Sequence, residues 1–227
     1  MTRFNNRLYA CTEAAVFSST DNGINWQRHT VTGSLGYFMS ITANDSNLFV
    51  SDAYSKAFKS SDQGNSWTLC YTATNTINSI YADTLNVYTC NWRAGIQVST
   101  DNGTNWTGMN NGLPSNANVK SILLKRPTML ASLMQGVYLS TDDGNTWRAF
   151  NENAPVPVNQ ILSDTANLYA ASNGYGVLVR RLSEITAIKE NRNTTVRGFA
   201  LFQNYPNPFN PLSAVTFQIP HSSHVVL

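Results

Sequence analysis

Short apolar segments alternate with polar turns along most of the chain, and none shows helical spacing. One series is Leu8-Tyr9-Ala10, Leu48-Phe49-Val50, Val87-Tyr88-Thr89, Met129-Leu130-Ala131 and Leu168-Tyr169-Ala170. A second is Val16-Phe17, Ala57-Phe58, Ile96-Gln97-Val98, Val137-Tyr138-Leu139 and Val177-Leu178-Val179. A third is Phe38–Ile41, Ile77–Ile80, Val119–Ile122 and Val158–Ile161. Runs this short, bounded by Gly, Asn, Asp and Ser, predict strands. Between them an octet, Ser-x-Asp-x-Gly-x-x-Trp, recurs at Ser19–Trp26, Ser60–Trp67, Ser99–Trp106 and Ser140–Trp147. Its aspartates, Asp21, Asp62, Asp101 and Asp142, stand 41, 39 and 41 residues apart. A repeat of this length made of four short strands (a, b, c and d) predicts an all-β fold of β-propeller blades.

The octet has the chemistry of a capped hairpin. Gly23, Gly64, Gly103 and Gly144 supply positive φ without a Cβ clash. The Asp carboxylates are placed to accept N–H groups of their own loops. Trp26, Trp67, Trp106 and Trp147 open strand d and are expected to bury their rings. The first repeat is expected to begin at strand b. The fifth holds only a, b and c, because no Asp-x-Gly occurs near residue 183. Residues 1–182 therefore read as about 4.5–5 blades at roughly 40 residues each.

The octet resembles the Asp-box, or BNR repeat, of sialidases, xyloglucan-active glycosidases, the sortilin receptor domain and photosystem II assembly factor-like propellers. The resemblance covers about residues 7–182 and implies that the octet residues are structural and lie away from any ligand face. Seven-bladed members would take roughly 280 residues. The chain is therefore expected to be a fragment of a larger propeller.

After residue 182 the pattern changes. Residues 183–198 are polar and aperiodic and read as a linker. Gln203-Asn204-Tyr205-Pro206-Asn207-Pro208-Phe209-Asn210-Pro211 follows, with prolines fixing an extended turn. Ala214–Pro220 alternates like a strand. The nine-residue segment, centred on Tyr205, Pro206, Asn207, Pro208 and Phe209, resembles the opening of the type IX secretion C-terminal sorting domain, a small β-sandwich. Residues 199–227 would then be a truncated sorting domain. The resemblance implies export to the cell exterior or outer-membrane surface, with the type IX machinery as partner. One strand and a stub cannot bury a sandwich core, so this tail is expected to pack poorly. The N-terminus carries no signal peptide, which fits an internal piece of a longer secreted protein.

Composition narrows the functional classes. Charged residues are 12% and the net charge is +2, too little and too mixed for a protein held on phosphates, so no nucleic-acid partner is expected. No apolar run is long enough for a transmembrane segment. Cys11, Cys70 and Cys90 give an odd count without CxxC spacing and read as small apolar strand residues. No metal-ligand cluster, cofactor motif or Ser/His/Asp set can be assembled.

In a four-stranded meander the a–b and c–d connections share one face, and the b–c and d–a connections share the other. The octets are c–d hairpins, so a ligand face would be built from b–c and d–a loops. These loops hold Glu13, Tyr54, Trp92, Arg93, Gln135 and Tyr175, with Ser34–Gly36, Tyr71–Asn75, Asn110–Asn118 and Asn151–Pro157. Trp92, Arg93 and Tyr175 are the binding candidates, able to stack on a sugar or peptide plane. Glycosidases need two carboxylates at a set separation, and these loops offer only Glu13 and Glu152. The sequence therefore leans away from an enzyme. It favours a secreted or surface-attached binding or scaffold module for a glycan or protein ligand. The alternative is a carbohydrate-active, sialidase-like or glycosidase propeller whose catalytic residues lie elsewhere.

Overall fold

The structure is a computed structural model; it describes residues 1–150, 157–183, 200–201, 205–210, 212–214 and 217–218. The chain divides into a unit Met1–Arg180 and a unit Arg181–Leu227. In the first, strands follow one another as antiparallel meanders. Blade 1 is β1 (Thr2–Phe4), β2 (Arg7–Cys11), β3 (Val16–Ser19) and β4 (Gln27–His29). Blade 2 is β5 (Phe38–Ala43), β6 (Leu48–Asp52), β7 (Lys56–Ser60) and β8 (Thr68–Thr72). Blade 3 is β9 (Ile77–Ala82), β10 (Val87–Asn91), β11 (Gly95–Ser99) and β12 (Thr107–Gly108). Blade 4 is β13 (Val119–Lys125), β14 (Thr128–Leu133), β15 (Gly136–Ser140) and β16 (Arg148–Ala149). Blade 5 has three described strands, β17 (Val158–Ser163), β18 (Asn167–Ser172) and β19 (Gly176–Arg181). The fold is a partial all-β propeller.

Blade 1 corrects the expectation that it begins at strand b. Thr2–Phe4 pairs with Arg7–Cys11 across Asn5-Asn6, whose φ angles are 45° and 60°. Two left-handed residues make the tight turn that suits a twisted hairpin. The strand is missed by its apolar pattern because it holds three residues, of which only Phe4 is apolar.

Period-two alternation gives every blade two apolar faces, one toward the preceding blade and one toward the following blade. Tyr88, Cys90, Ile96 and Val98 of blade 3 pack on Val119, Ile122, Met129, Ala131, Leu133 and Trp147 of blade 4. Phe49 and Ala57 of blade 2 pack on Ile77, Ile80 and Val87 of blade 3, with Trp106 against them. Tyr9 and Val16 of blade 1 meet Phe38, Ile41, Leu48, Val50 and Trp67 of blade 2. The inner strands add polar stitches. Ser40 Oγ donates to Ile80 O at 3.3 Å, and Ser79 Oγ donates to Lys120 O at 2.7 Å. Ile161 N donates to Ser121 Oγ at 3.0 Å.

The octets form the same hairpin four times. Asn22-Gly23, Gln63-Gly64, Asn102-Gly103 and Asp143-Gly144 all have positive φ. In the first, Ser19 Oγ donates to Asp21 Oδ1 at 2.7 Å and accepts from Gly23 N at 2.8 Å. Asn25 N and Nδ2 then donate to the two Asp21 oxygens at 2.8 and 2.7 Å. Asp62, Asp101 and Asp142 repeat the pattern with Ser60, Ser99 and Ser140. Three of the glycines also abut strand d of the blade before. A Cβ on Gly64 would lie 3.3 Å from His29 Nδ1, and one on Gly103 would lie 3.3 Å from Cys70 Cβ. One on Gly144 would overlap the Met109 sulfur. Gly23 has only its own Trp26 nearby.

The tryptophans follow the same logic. Trp67 and Trp147 are 6% and 4% exposed. Trp106 is half-buried, with Nε1 donating to Cys70 O at 3.0 Å and its ring 4.8 Å from that of Tyr71. Trp26 departs from the expectation of burial at 38% exposed; its Nε1 donates to Gly23 O of its own hairpin at 3.0 Å. On the a–b/c–d face, Arg126 pairs with Asp83 and Asp143, each at 2.9 Å, and joins blades 3 and 4. All three cysteines are free thiols. Burial raises the pKa of each, that of Cys70 and Cys90 to about 12.

In the second unit β20 (Ala200–Leu201) pairs with β23 (Phe217–Gln218), and β21 (Tyr205–Asn210) pairs with β22 (Leu212–Ala214). The linker, apart from Ser183, and the packing expected of the tail lie outside the described residues.

Two outcomes follow from this packing. Trp67→Ala should cost about 3–5 kcal/mol in denaturant unfolding, whereas Trp26→Ala should cost below about 1 kcal/mol. Equal losses would contradict the blade-to-blade role of the ring. Hydrogen bonds from Asn25 N–H, the Ser66 hydroxyl and Asn105 N–H, with those of Ser19, Ser60 and Ser99, hold Asp21, Asp62 and Asp101 down to about pKa 2. A carboxylate whose pKa is lowered on folding stabilises fully above its unfolded value, near 4. The melting temperature should therefore fall between about pH 4 and pH 2, and Asp101→Asn should flatten that slope.

Candidate functional site

The b–c and d–a connections meet on one face. Tyr37 N donates to Glu13 O at 2.5 Å, and Ala73 N donates to Ser55 O at 2.8 Å. Trp92 N donates to Thr76 O at 2.8 Å, and Gly95 N donates to Ala117 O at 3.1 Å. Each bond ties a b–c loop to a d–a loop, so the loops are braced rather than free-standing.

The inner strands shape this face through a repeated bulge. Pairing slips after the first residue of β5, β9, β13 and β17. Met39, Asn78, Lys120 and Asn159 are left without a ladder partner in strand b. A bulge re-aims the side chain it carries, and bulges gather at barrel rims and near sites. Met39 and Asn159 are exposed; Asn78 Nδ2 donates to Asn118 Oδ1 at 2.9 Å and also bonds Val119 O.

Trp92 is 40% exposed, and Lys120 Nζ stands 5.3 Å from its ring centroid. This is a cation–π pair joining a b–c loop to the bulge of the next blade. Arg93 is exposed beside it at φ 58°. Asn91, one residue before Trp92, is buried; its Nδ2 donates to Thr89 O, Thr89 Oγ1 and Gly95 O. Its Oδ1 has no partner among the described residues. Tyr175 lies on the b–c loop of blade 5, 65% exposed, with no ring partner among the described residues. The structure therefore joins Trp92 to Arg93 and Lys120 and leaves Tyr175 two blades away.

Blade 2 carries an aromatic pair that sequence reading did not assemble. Tyr37 and Tyr54 are both about half exposed and meet edge to face, centroids 6.5 Å apart at 88°. Buried Asp52 braces them. Its Oδ1 accepts Tyr54 N and Lys56 N, both at 2.9 Å, and its Oδ2 accepts Ser34 Oγ at 2.8 Å. Tyr37 itself sits at φ 56°, a conformation that a bulky residue adopts rarely and that turns its ring outward from a tight loop. The signal in the sequence was Asp52 two residues before Tyr54, an Asx-type turn. Glu13 is exposed on the same face, and Glu152 lies outside the described residues. Among the described residues no three His, Cys, Asp or Glu side chains gather as a metal site. No described helix is long and apolar enough to cross a membrane.

Known structures place this geometry among propellers. The chain is similar to YCF48 from Cyanidioschyzon merolae at 16% identity, with 79% of this chain and 67% of that one covered and a TM-score of 0.62. A structure of YCF48 bound to D1 peptide matches at 17% identity over 78% and 60%, TM-score 0.62. An ancestral GH74 enzyme matches at 24% identity over 79% of this chain, TM-score 0.63, and the chain spans 29% of that enzyme's length. Identities this low establish the fold. No curated protein sequence matches the chain. The DUF6242 beta propeller domain matches residues 72–200, more than half of the chain, and on that match the chain belongs to the DUF6242 beta propeller family.

Proposed function

We propose that the chain is a non-catalytic binding or scaffold module of a secreted or cell-surface protein, and that its ligand lies on the b–c/d–a face. The observation that carries this is the set of exposed rings on braced loops. Tyr37 with Tyr54, and Trp92 with Lys120 and Arg93, offer flat apolar surface edged by cations. Rings held by their loops lose little entropy on binding, which is why Tyr, Trp and Arg dominate binding hot spots.

In this reading the octets are Asp-box repeats of the sialidase-like superfamily, supported by their sequence and their hairpin hydrogen bonds. Residues 1–182 are the propeller, 183–198 the linker and 199–227 the start of a type IX sorting domain, whose partner is the type IX machinery. Support for the last is the Tyr205–Phe209 motif. YCF48 with its bound D1 peptide is a propeller used for peptide binding. The GH74 neighbours favour a second reading, a carbohydrate-active propeller enzyme. That chemistry needs two carboxylates, and Glu13 is the one glutamate of the described b–c and d–a loops.

Glycan and peptide arrays probed with the chain test both readings. Binding without turnover is expected, and Tyr54→Ala or Trp92→Ala should weaken it roughly tenfold or more. Release of reducing ends from xyloglucan would transfer support to the enzyme. Binding left intact by both variants would remove this face as the ligand site.

A further inference from the structure

The third residue after each octet tryptophan is His29, Cys70, Met109 or Phe150. The first three lie against a glycine of the next blade's octet, Gly64, Gly103 and Gly144 in turn. Met109 does not ionise, and burial keeps the Cys70 thiol neutral by pushing its pKa up to about 12. His29 differs: it is a titratable ring, 5% exposed, at the contact between blades 1 and 2. Its Nε2 lies 2.8 Å from Ser18 Oγ of β3, and a Cβ on Gly64 would lie 3.3 Å from its Nδ1. Tyr9 of β2 stands beside it, ring centroids 6.3 Å apart, and its hydroxyl donates to Gln63 O at 3.0 Å. Blade 1 thus holds the Gln63-Gly64 turn of blade 2 with two side chains, one of which gains a charge in mild acid.

A neutral imidazole has one N–H and one free lone pair, whereas the charged ring has two N–H groups and accepts nothing. Protonation therefore changes what His29 offers to Ser18 and to the Gly64 backbone, and it puts a charge where packing excludes water. The charged groups that act on the ring are Arg7 of β2 and Asp62 of the octet, and Tyr9 is kept neutral by burial. We propose that His29 is an acid-sensitive latch between blades 1 and 2: the neutral ring holds the Gln63-Gly64 turn against β4, and protonation releases it. Burial lowers the His29 pKa and the Arg7 charge adds to this, while a Gly64 backbone bond and Asp62 oppose it. A base whose pKa is lowered in the closed state binds its proton more readily once that state opens. The closed contact is therefore fully stabilised above about pH 6.5, the ordinary histidine value, and loses stability below it. This window lies above the one in which the octet aspartates titrate.

Amide hydrogen exchange of the whole chain at about pH 7.5 and about pH 5.5, corrected for the intrinsic exchange rate, tests this. The octets supply their own reference. Gly64 N, Gly103 N and Gly144 N make the same bond to a serine hydroxyl, at 2.8, 2.7 and 2.8 Å, but only Gly64 lies against a histidine. In the wild-type chain the protection of Gly64 should fall at the lower pH by up to roughly tenfold relative to Gly103 and Gly144. His29→Met places the blade 3 residue at this position, and His29→Gln keeps a polar side chain that does not titrate. Both variants should abolish the relative loss, with melting curves at about pH 7.5 showing that they fold. A wild-type Gly64 whose protection follows that of Gly103 and Gly144 at both pH values would overturn the proposal, whether or not the variants fold. So would a loss of the same size in a folded variant.

Discussion

A four-stranded sheet with apolar side chains on both faces has to be covered on both. Every other feature of this propeller answers to that requirement. Alternation along each strand sends Tyr88 and Ile96 toward the following blade and Val87 toward the preceding one. Cores therefore form between sheets. Covering one blade uncovers the need for the next, so a repeat is the natural product of such a strand pattern.

The capped hairpin sets how closely blades approach. Asp and Ser side chains accept loop N–H groups that have no partner in the strand ladder, and they do so within eight residues. That leaves the glycine backbone free to lie against His29, Cys70 or Met109 of the neighbouring blade. One turn thus does two things, closing strand c onto strand d and seating the Trp ring on the blade before. Serines on the inner strands complete the spacing with hydrogen bonds to the next blade's backbone. They were present in the repeat, at Ser40, Ser79 and Ser121, but short hydroxyl side chains in a strand leave no periodic signal that singles them out.

Binding potential gathers where the hairpins are not. On the b–c/d–a face loop length and loop sequence vary from blade to blade, while the inner-strand bulge is repeated. Tyr37 and Tyr54 stand 17 residues apart in sequence and meet because β5 pairs with β6 so that Phe38 lies opposite Asp52. Lys120 reaches Trp92 because an inner-strand bulge turns it out of the ladder.

Blade number, strand order and the hairpin positions were legible in the sequence, because they depend on local alternation and on a turn whose capping residues lie within one octet. The short strand Thr2–Phe4 was not, since three residues with one apolar side chain carry no pattern. Trp92, Arg93 and Tyr175 were legible as exposed loop residues, yet their neighbours were not. Which residues share a surface depends on the angle and register between blades, and those are decided by side-chain packing across each interface. The sequence by itself determined a run of capped, two-faced blades; the tertiary structure decided which loops meet and which rings pair.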